Sequence, residues 1–189
     1  MSLLGFCQWL ASTPGSIALH ESRYMFIVVL TVHVLTLMVF VGTVVMIGLR
    51  FLGMTMSRVP VLEVVARLLP WAAGGLLAMM TSGALLFYAA PVLRYQNLFF
   101  RLKMVTLVVA LLNAWMFHRT VYRTVADWDL DPIPPRRVRV AGGVSLVLWA
   151  FIITAGRMMA YQGYWFDCDS RQQRAILSML SGCTAETFR

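Results

Sequence analysis

The stretch His33–Gly53, HVLTLMVFVGTVVMIGLRFLG, decides the fold. It is apolar almost throughout, yet a histidine opens it and an arginine stands near its end. An α-helix rises about 1.5 Å per residue, so roughly 20 such residues cover the hydrocarbon core of a bilayer. A step of about 100° per residue from His33 places Thr36, Thr43 and Arg50 at about −60°, −80° and −100°. Polar side chains on one arc give an otherwise lipophilic helix an inward face, because a polar group in hydrocarbon is costly. The stretch therefore reads as a membrane span with His33 turned towards its neighbours.

The rest of the chain repeats the pattern. It is 60% hydrophobic and 13% charged, where soluble chains carry about 25% charged residues. Four segments are long enough to cross a membrane: Tyr24–Leu49, Leu68–Ala90, Leu98–Val121 and Val140–Tyr161. The expected architecture is an all-α integral membrane four-helix bundle over residues 1–163, with short interfacial helices at both termini and an amphipathic tail over 164–189. The opening MSLLGFCQWLAST reads as an interfacial helix stopped by TPGS, since it lacks the positive start and apolar length of a cleavable signal. The net charge of +8 is spread over loops and span ends without interleaved exposed aromatics. That distribution suits lipid headgroups and argues against nucleic acid as a partner.

Four spans put both termini on one side, side B, and the loops 50–67 and 119–139 on the other, side A. The second loop contains ADWDLDPIPPRRVR, a linker whose prolines forbid a continuous helix. Lysines and arginines divide evenly between the sides. With Lys103 and Arg157 discounted as span residues and Arg189 as remote, side A leads, which makes it cytoplasmic and both termini periplasmic. Cys7, Cys168 and Cys183 all fall on side B. There a Cys168–Cys183 disulfide would staple the tail, and unpaired interfacial cysteines are the alternative.

Depth sorts the polar groups of the spans. Gly74, Ala78 and Ser82 form a small-residue stripe on the second span, and Gly142, Ser145, Trp149, Ile152 and Gly156 a similar seam on the fourth. Thr106 and Asn113 share a face of the third. His33, Lys103 and Arg157 group towards side B, while Arg50, His118 and Arg119 group towards side A, with Arg50 an interfacial anchor. His33 and His118 are the candidate metal ligands, but about 18 Å of depth separates them, too much for one haem iron. A b-type haem on His33 alone would draw its second ligand from Met79, Met80, Met158 or Met159, with Lys103 and Arg157 on the propionates. Copper(I) is the second cofactor that the methionines, including the MTM at 54–56, would suit. In a third reading His33 donates a hydrogen bond across the bundle and the methionines pack. No acidic residue lies within a span, which weighs against proton-coupled transport. Nucleophile elbow, phosphate loop and HExxH motif are all missing, so no catalytic chemistry is indicated.

The four segments HVLTLMVFVGTVVMIGLRFLG, LLPWAAGGLLAMMTSGALLF, NLFFRLKMVTLVVALLNAWMFHRTVYR and SLVLWAFIITAGRMMAY together resemble a family of small bacterial four-helix inner-membrane proteins classed as a domain of unknown function. The resemblance implies that His33, Gly42, Arg50, Lys103, Asn113, His118, Trp149, Gly156 and Arg157 are family positions. More remotely the pattern is similar to copper-resistance D membrane proteins and b-type cytochrome subunits. Taken together, these readings lead to the expectation of a subunit or accessory protein beside a redox or metal-handling partner in the bacterial inner membrane.

Overall fold

The chain begins with two short helices that share a breaker. In the computed structural model, which describes residues 3–120, 125, 128–131 and 133–161, α1 covers Leu3–Ala11 and α2 Pro14–Glu21. The TPGS segment both stops α1 and starts α2, because Pro14 occupies the first turn, where its missing N–H costs nothing. The tail with Cys168 and Cys183 lies outside the described residues.

Four long helices follow: α3 Arg23–Phe51, α4 Val61–Ala89, α6 Leu98–Thr120 and α7 Arg136–Met158, with the short α5 Pro91–Tyr95 between α4 and α6. All four are long and apolar enough to cross a membrane, as in a multi-pass membrane protein. No strand occurs among the described residues. Ser22 caps α3 by accepting from the Met25 N–H at 3.3 Å. At the other end Gly53 N–H donates to Arg50 O and Met54 N–H to Leu49 O, both at 3.0 Å. That pair of bonds needs a left-handed residue, and Gly53 supplies it with φ of 75°.

Two elements start differently from the sequence expectation. Helix α4 begins at Val61, seven residues before the expected Leu68, and carries Pro70 in its interior. Pro70 is exposed on the outer face, while Val64, Val65 and Ala72 on either side of it are buried, so packing holds the helix through the break. Helix α7 likewise begins at Arg136, four residues before Val140.

The helices pack as two close hairpins, α3 with α4 and α6 with α7, joined by α3 against α7. Glycines permit the closest approaches. A Cβ at Gly75 would stand 3.1–3.3 Å from Phe40, and one at Gly142 would stand 2.9 Å from the Phe51 Cβ and 3.5 Å from Gly48 O. The stripe expected over Gly74, Ala78 and Ser82 holds at buried Ser82, but at its start Gly74 faces open space and Gly75 makes the contact. On α7 the expected seam holds at Gly142, Trp149 and Ile152, all buried.

One core lies mid-bundle, where Phe40, Met79, Leu107, Ala110, Trp149 and Ile152 meet and the Phe40 and Trp149 rings make an edge contact at 4.5 Å. A second closes side A with Phe51, Val61, Val65, Val125, Trp128 and Val138. Trp128 and Pro134 are buried, so the expected plain linker is in part a plug folded over the helix ends. The outer faces remain apolar and exposed, as lipid contact requires.

Candidate functional site

Polar side chains at the side-B end come from four different elements. His33, on α3, meets α4: its Nδ1 lies 2.9 Å from Ser82 Oγ. Ser82 is itself 2.7 Å from Ala78 O. A hydroxyl has one proton; with that proton on Ala78 O, the imidazole donates from Nδ1–H to Ser82 Oγ. The ring is admitted by Gly83, where a Cβ would stand 3.3 Å from His33 Cε1.

One turn along the same buried face of α4 sits Leu86, whose carbonyl accepts from Arg94 Nε at 2.8 Å. Ser82 and Leu86 are four residues apart, about 6 Å along the helix, so His33 and Arg94 meet neighbouring turns of one face. Arg94 reaches back because Pro91 starts α5 as a short reversing helix. Burial pushes the Arg94 guanidinium below its ordinary value.

Lys103 completes the group from the second turn of α6. Its Nζ lies over Gly156 of α7, 3.6 Å from where a Cβ would be. The two helices are registered there by buried Asn97, which donates from Nδ2 to Met159 O at 3.1 Å and accepts from the Phe100 N–H at 3.1 Å. Lys103 and Arg94 are within electrostatic reach of each other and of His33. Glu63–Arg67, near side A, is the ion pair seen among the described residues. Charge at the side-B cluster is therefore basic and uncompensated within the described structure.

Arg157, expected in the same group, turns outward. Its Nη2 donates to the Tyr161 hydroxyl at 3.0 Å and its guanidinium lies 5.2 Å from that ring. Arg101 over Tyr95 at 4.4 Å and Arg119 over Trp115 at 5.2 Å make the same pairing at the two ends of α6. Such cation–aromatic pairs at helix ends are of the kind that sits at membrane–water interfaces.

Side A is built otherwise. Arg50, expected as an anchor reaching for water, is fully buried. Its Nε and Nη2 donate to Val59 O at 3.1 and 3.0 Å, and Nη2 also reaches Asp131 O at 3.4 Å. The same corner holds Asp129, whose Oδ1 accepts the Leu62 N–H at 2.7 Å and caps α4. Asn113 donates from Nδ2 to Ala141 O at 3.2 Å, tying α6 to α7. Thr36 and Thr43 bond to carbonyls of their own helix, so the polar stripe on α3 crosses to neighbours through His33 and Arg50.

Of the residues proposed for a haem, Lys103 lies within electrostatic reach of His33, but the second histidine does not. Phe51 and Phe117 rings are 4.8 Å apart, which sets His118 level with the end of α3. His33 is eighteen residues back along α3, about 27 Å at 1.5 Å per residue, so one iron cannot take both. Met79 is packed in the mid-bundle core, Met80 is exposed on the outer face, and Met158 and Met159 lie at the end of α7. Among the described residues no group of three or more His, Cys, Asp or Glu side chains is placed to hold a metal ion.

A helical, multi-pass chain whose polar groups tie its own spans together belongs to the class of small four-helix membrane bundles. Residues 12–162 match DUF6644, a family of unknown function, and the chain is a member of that family. No curated protein and no solved structure matches it.

Proposed function

We propose that the chain is a non-catalytic subunit or accessory protein of a larger complex in the bacterial inner membrane, with both termini periplasmic. The observation that carries this reading is the use made of the polar groups at depth. His33 ties α3 to α4, Asn113 ties α6 to α7, and Arg50 ties the end of α3 to the side-A loops. Such bonds, in a medium without water, fix one arrangement of helices and make a rigid platform for a partner. An imidazole held inside the bundle, within electrostatic reach of Lys103, supports a second reading, a b-type haem on His33, and copper binding by the methionines is a third.

The absorption spectrum of the detergent-purified chain, expressed with adequate haem, separates them. The platform reading predicts no Soret band, no retained copper, and a His33→Gln chain that stays folded because glutamine also donates to Ser82. A Soret band abolished by His33→Gln would overturn it in favour of haem. Stoichiometric copper(I) lost on replacing Met158 and Met159 would overturn it in favour of copper.

A further inference from the structure

Arg94 and Lys103 do something different from Arg50. Arg50 spends two of its nitrogens on backbone carbonyls. Arg94 spends only Nε, on Leu86 O, and both terminal nitrogens remain unbonded among the described residues. Lys103 Nζ makes no hydrogen bond or ion pair among them either. Gly156 lets Nζ approach α7 closely, since a Cβ there would stand 3.6 Å from it. Two basic side chains and an imidazole, on α5, α6 and α3, thus lie within electrostatic reach of one another, and the one carboxylate within a described span, Glu63, is at the far end of α4 and pairs with Arg67. Holding unpaired cations together in a partly desolvated site is unfavourable, and an oxyanion between them removes the penalty.

The depth of the group selects the ligand. Lys103 is five residues into α6, about 7.5 Å along the helix, while Arg101 and Arg157 stack on aromatics at the rim. The cluster therefore lies just inside the headgroup level, where a phosphate on a lipid is anchored and its chains continue along the apolar outer faces. Arginine offers the planar fork that matches a phosphate and lysine a point charge beside it.

We propose that Arg94 and Lys103, with His33 at the floor, form a binding site for a phosphate group, carried by an anionic lipid or free in solution. The probe is the full-length chain in detergent, given phosphatidylglycerol or phosphatidylcholine, with retained lipid counted by native mass spectrometry. The wild-type chain is expected to prefer phosphatidylglycerol by about tenfold or more, the scale of one charge-assisted hydrogen bond. Arg94→Gln and Lys103→Gln should each lose most of that preference, Lys103→Arg should retain it, and Arg139→Gln, an exposed side-A arginine, should leave it unchanged.

Inorganic phosphate separates the sources: displacement of the lipid at low millimolar concentration assigns the site to the free ion as well, and indifference assigns it to the headgroup. Folding of each variant is verified by its helical circular dichroism. A folded Arg94→Gln or Lys103→Gln chain that keeps the wild-type preference would overturn the proposal. So would a wild-type chain that responds to neither lipid nor phosphate. An Asp167→Asn, Asp169→Asn chain that gains affinity would assign the pocket to the protein's own carboxylates and overturn it too.

Discussion

The two ends of the bundle use arginine in opposite ways. At side A, Arg50 is fully buried and holds the Val59 and Asp131 carbonyls, which fixes the loop after α3 against the segment before α7. At side B, Arg94 is held by a single bond to Leu86 O, and Lys103 stands over a glycine with its ammonium unbonded among the described residues. Backbone carbonyls hold Nε and Nη2 without another charge, so the first arrangement works as a strut through those two nitrogens, with buried Nη1 left without a partner among the described residues. The second leaves donors aimed at space near the headgroups, which is how a site differs from a strut.

The largest effect that would sharpen this contrast is at Arg50. Arg50→Met removes the donor to the Val59 and Asp131 carbonyls from a buried position, and the hydrogen bonds lost should cost about 3 kcal/mol, read as a lowered melting temperature in detergent. Arg94→Gln should cost far less stability, because only the Leu86 bond depends on it. Equal losses at the two positions would erase the distinction between the ends.

Next is the crossing of α3 and α7. Gly142→Ala puts a methyl 2.9 Å from the Phe51 Cβ, an atom fixed to the backbone, so the helices must separate at a cost of about 2 kcal/mol. Gly42→Ala and Gly74→Ala point a methyl into open space and should leave the melting temperature unchanged or slightly raised. If Gly74→Ala proved as damaging as Gly142→Ala, the packing seam would lie where the small-residue stripe first suggested.

The smallest effect is at His33. A double-mutant cycle between His33→Ala and Ser82→Ala should give a coupling of about 0.6 kcal/mol, the usual size of one interhelical hydrogen bond in a membrane protein. A coupling near zero would free His33 from its structural role and return it to the list of ligands.

These contrasts also show which features were legible in the sequence. The spans were, because length and hydropathy alone define a helix that must satisfy its backbone internally. The inward placement of His33, Trp149 and Ile152 followed from helical periodicity. The choice between Gly74 and Gly75 did not, since adjacent glycines differ by only about 100° and the partner helix decides. The early start of α4 was hidden by Pro70 and by Glu63 and Arg67, which look like loop residues and instead pair one turn apart. Arg94 stands between two spans, where a cation is ordinary; the signal in the sequence is Pro91, which begins a short helix able to turn the chain back. Depth alone groups Arg157 with the same cluster, but Tyr161 one turn on holds it outside. Trp128 was read as part of a linker, yet so large an apolar ring at the end of a bundle finds the nearest core.

The measurement that tests the asymmetry most directly is the rise in melting temperature on adding phosphatidylglycerol to three full-length chains: wild type, Arg50→Gln, and Arg94→Gln with Lys103→Gln. Lipid bound to the folded state raises the midpoint by mass action. The account predicts a similar rise for the wild type and for Arg50→Gln, despite the lower starting point of the latter, and little or none for the doubly substituted chain. An equal rise in all three, or a rise lost only with Arg50, would contradict it.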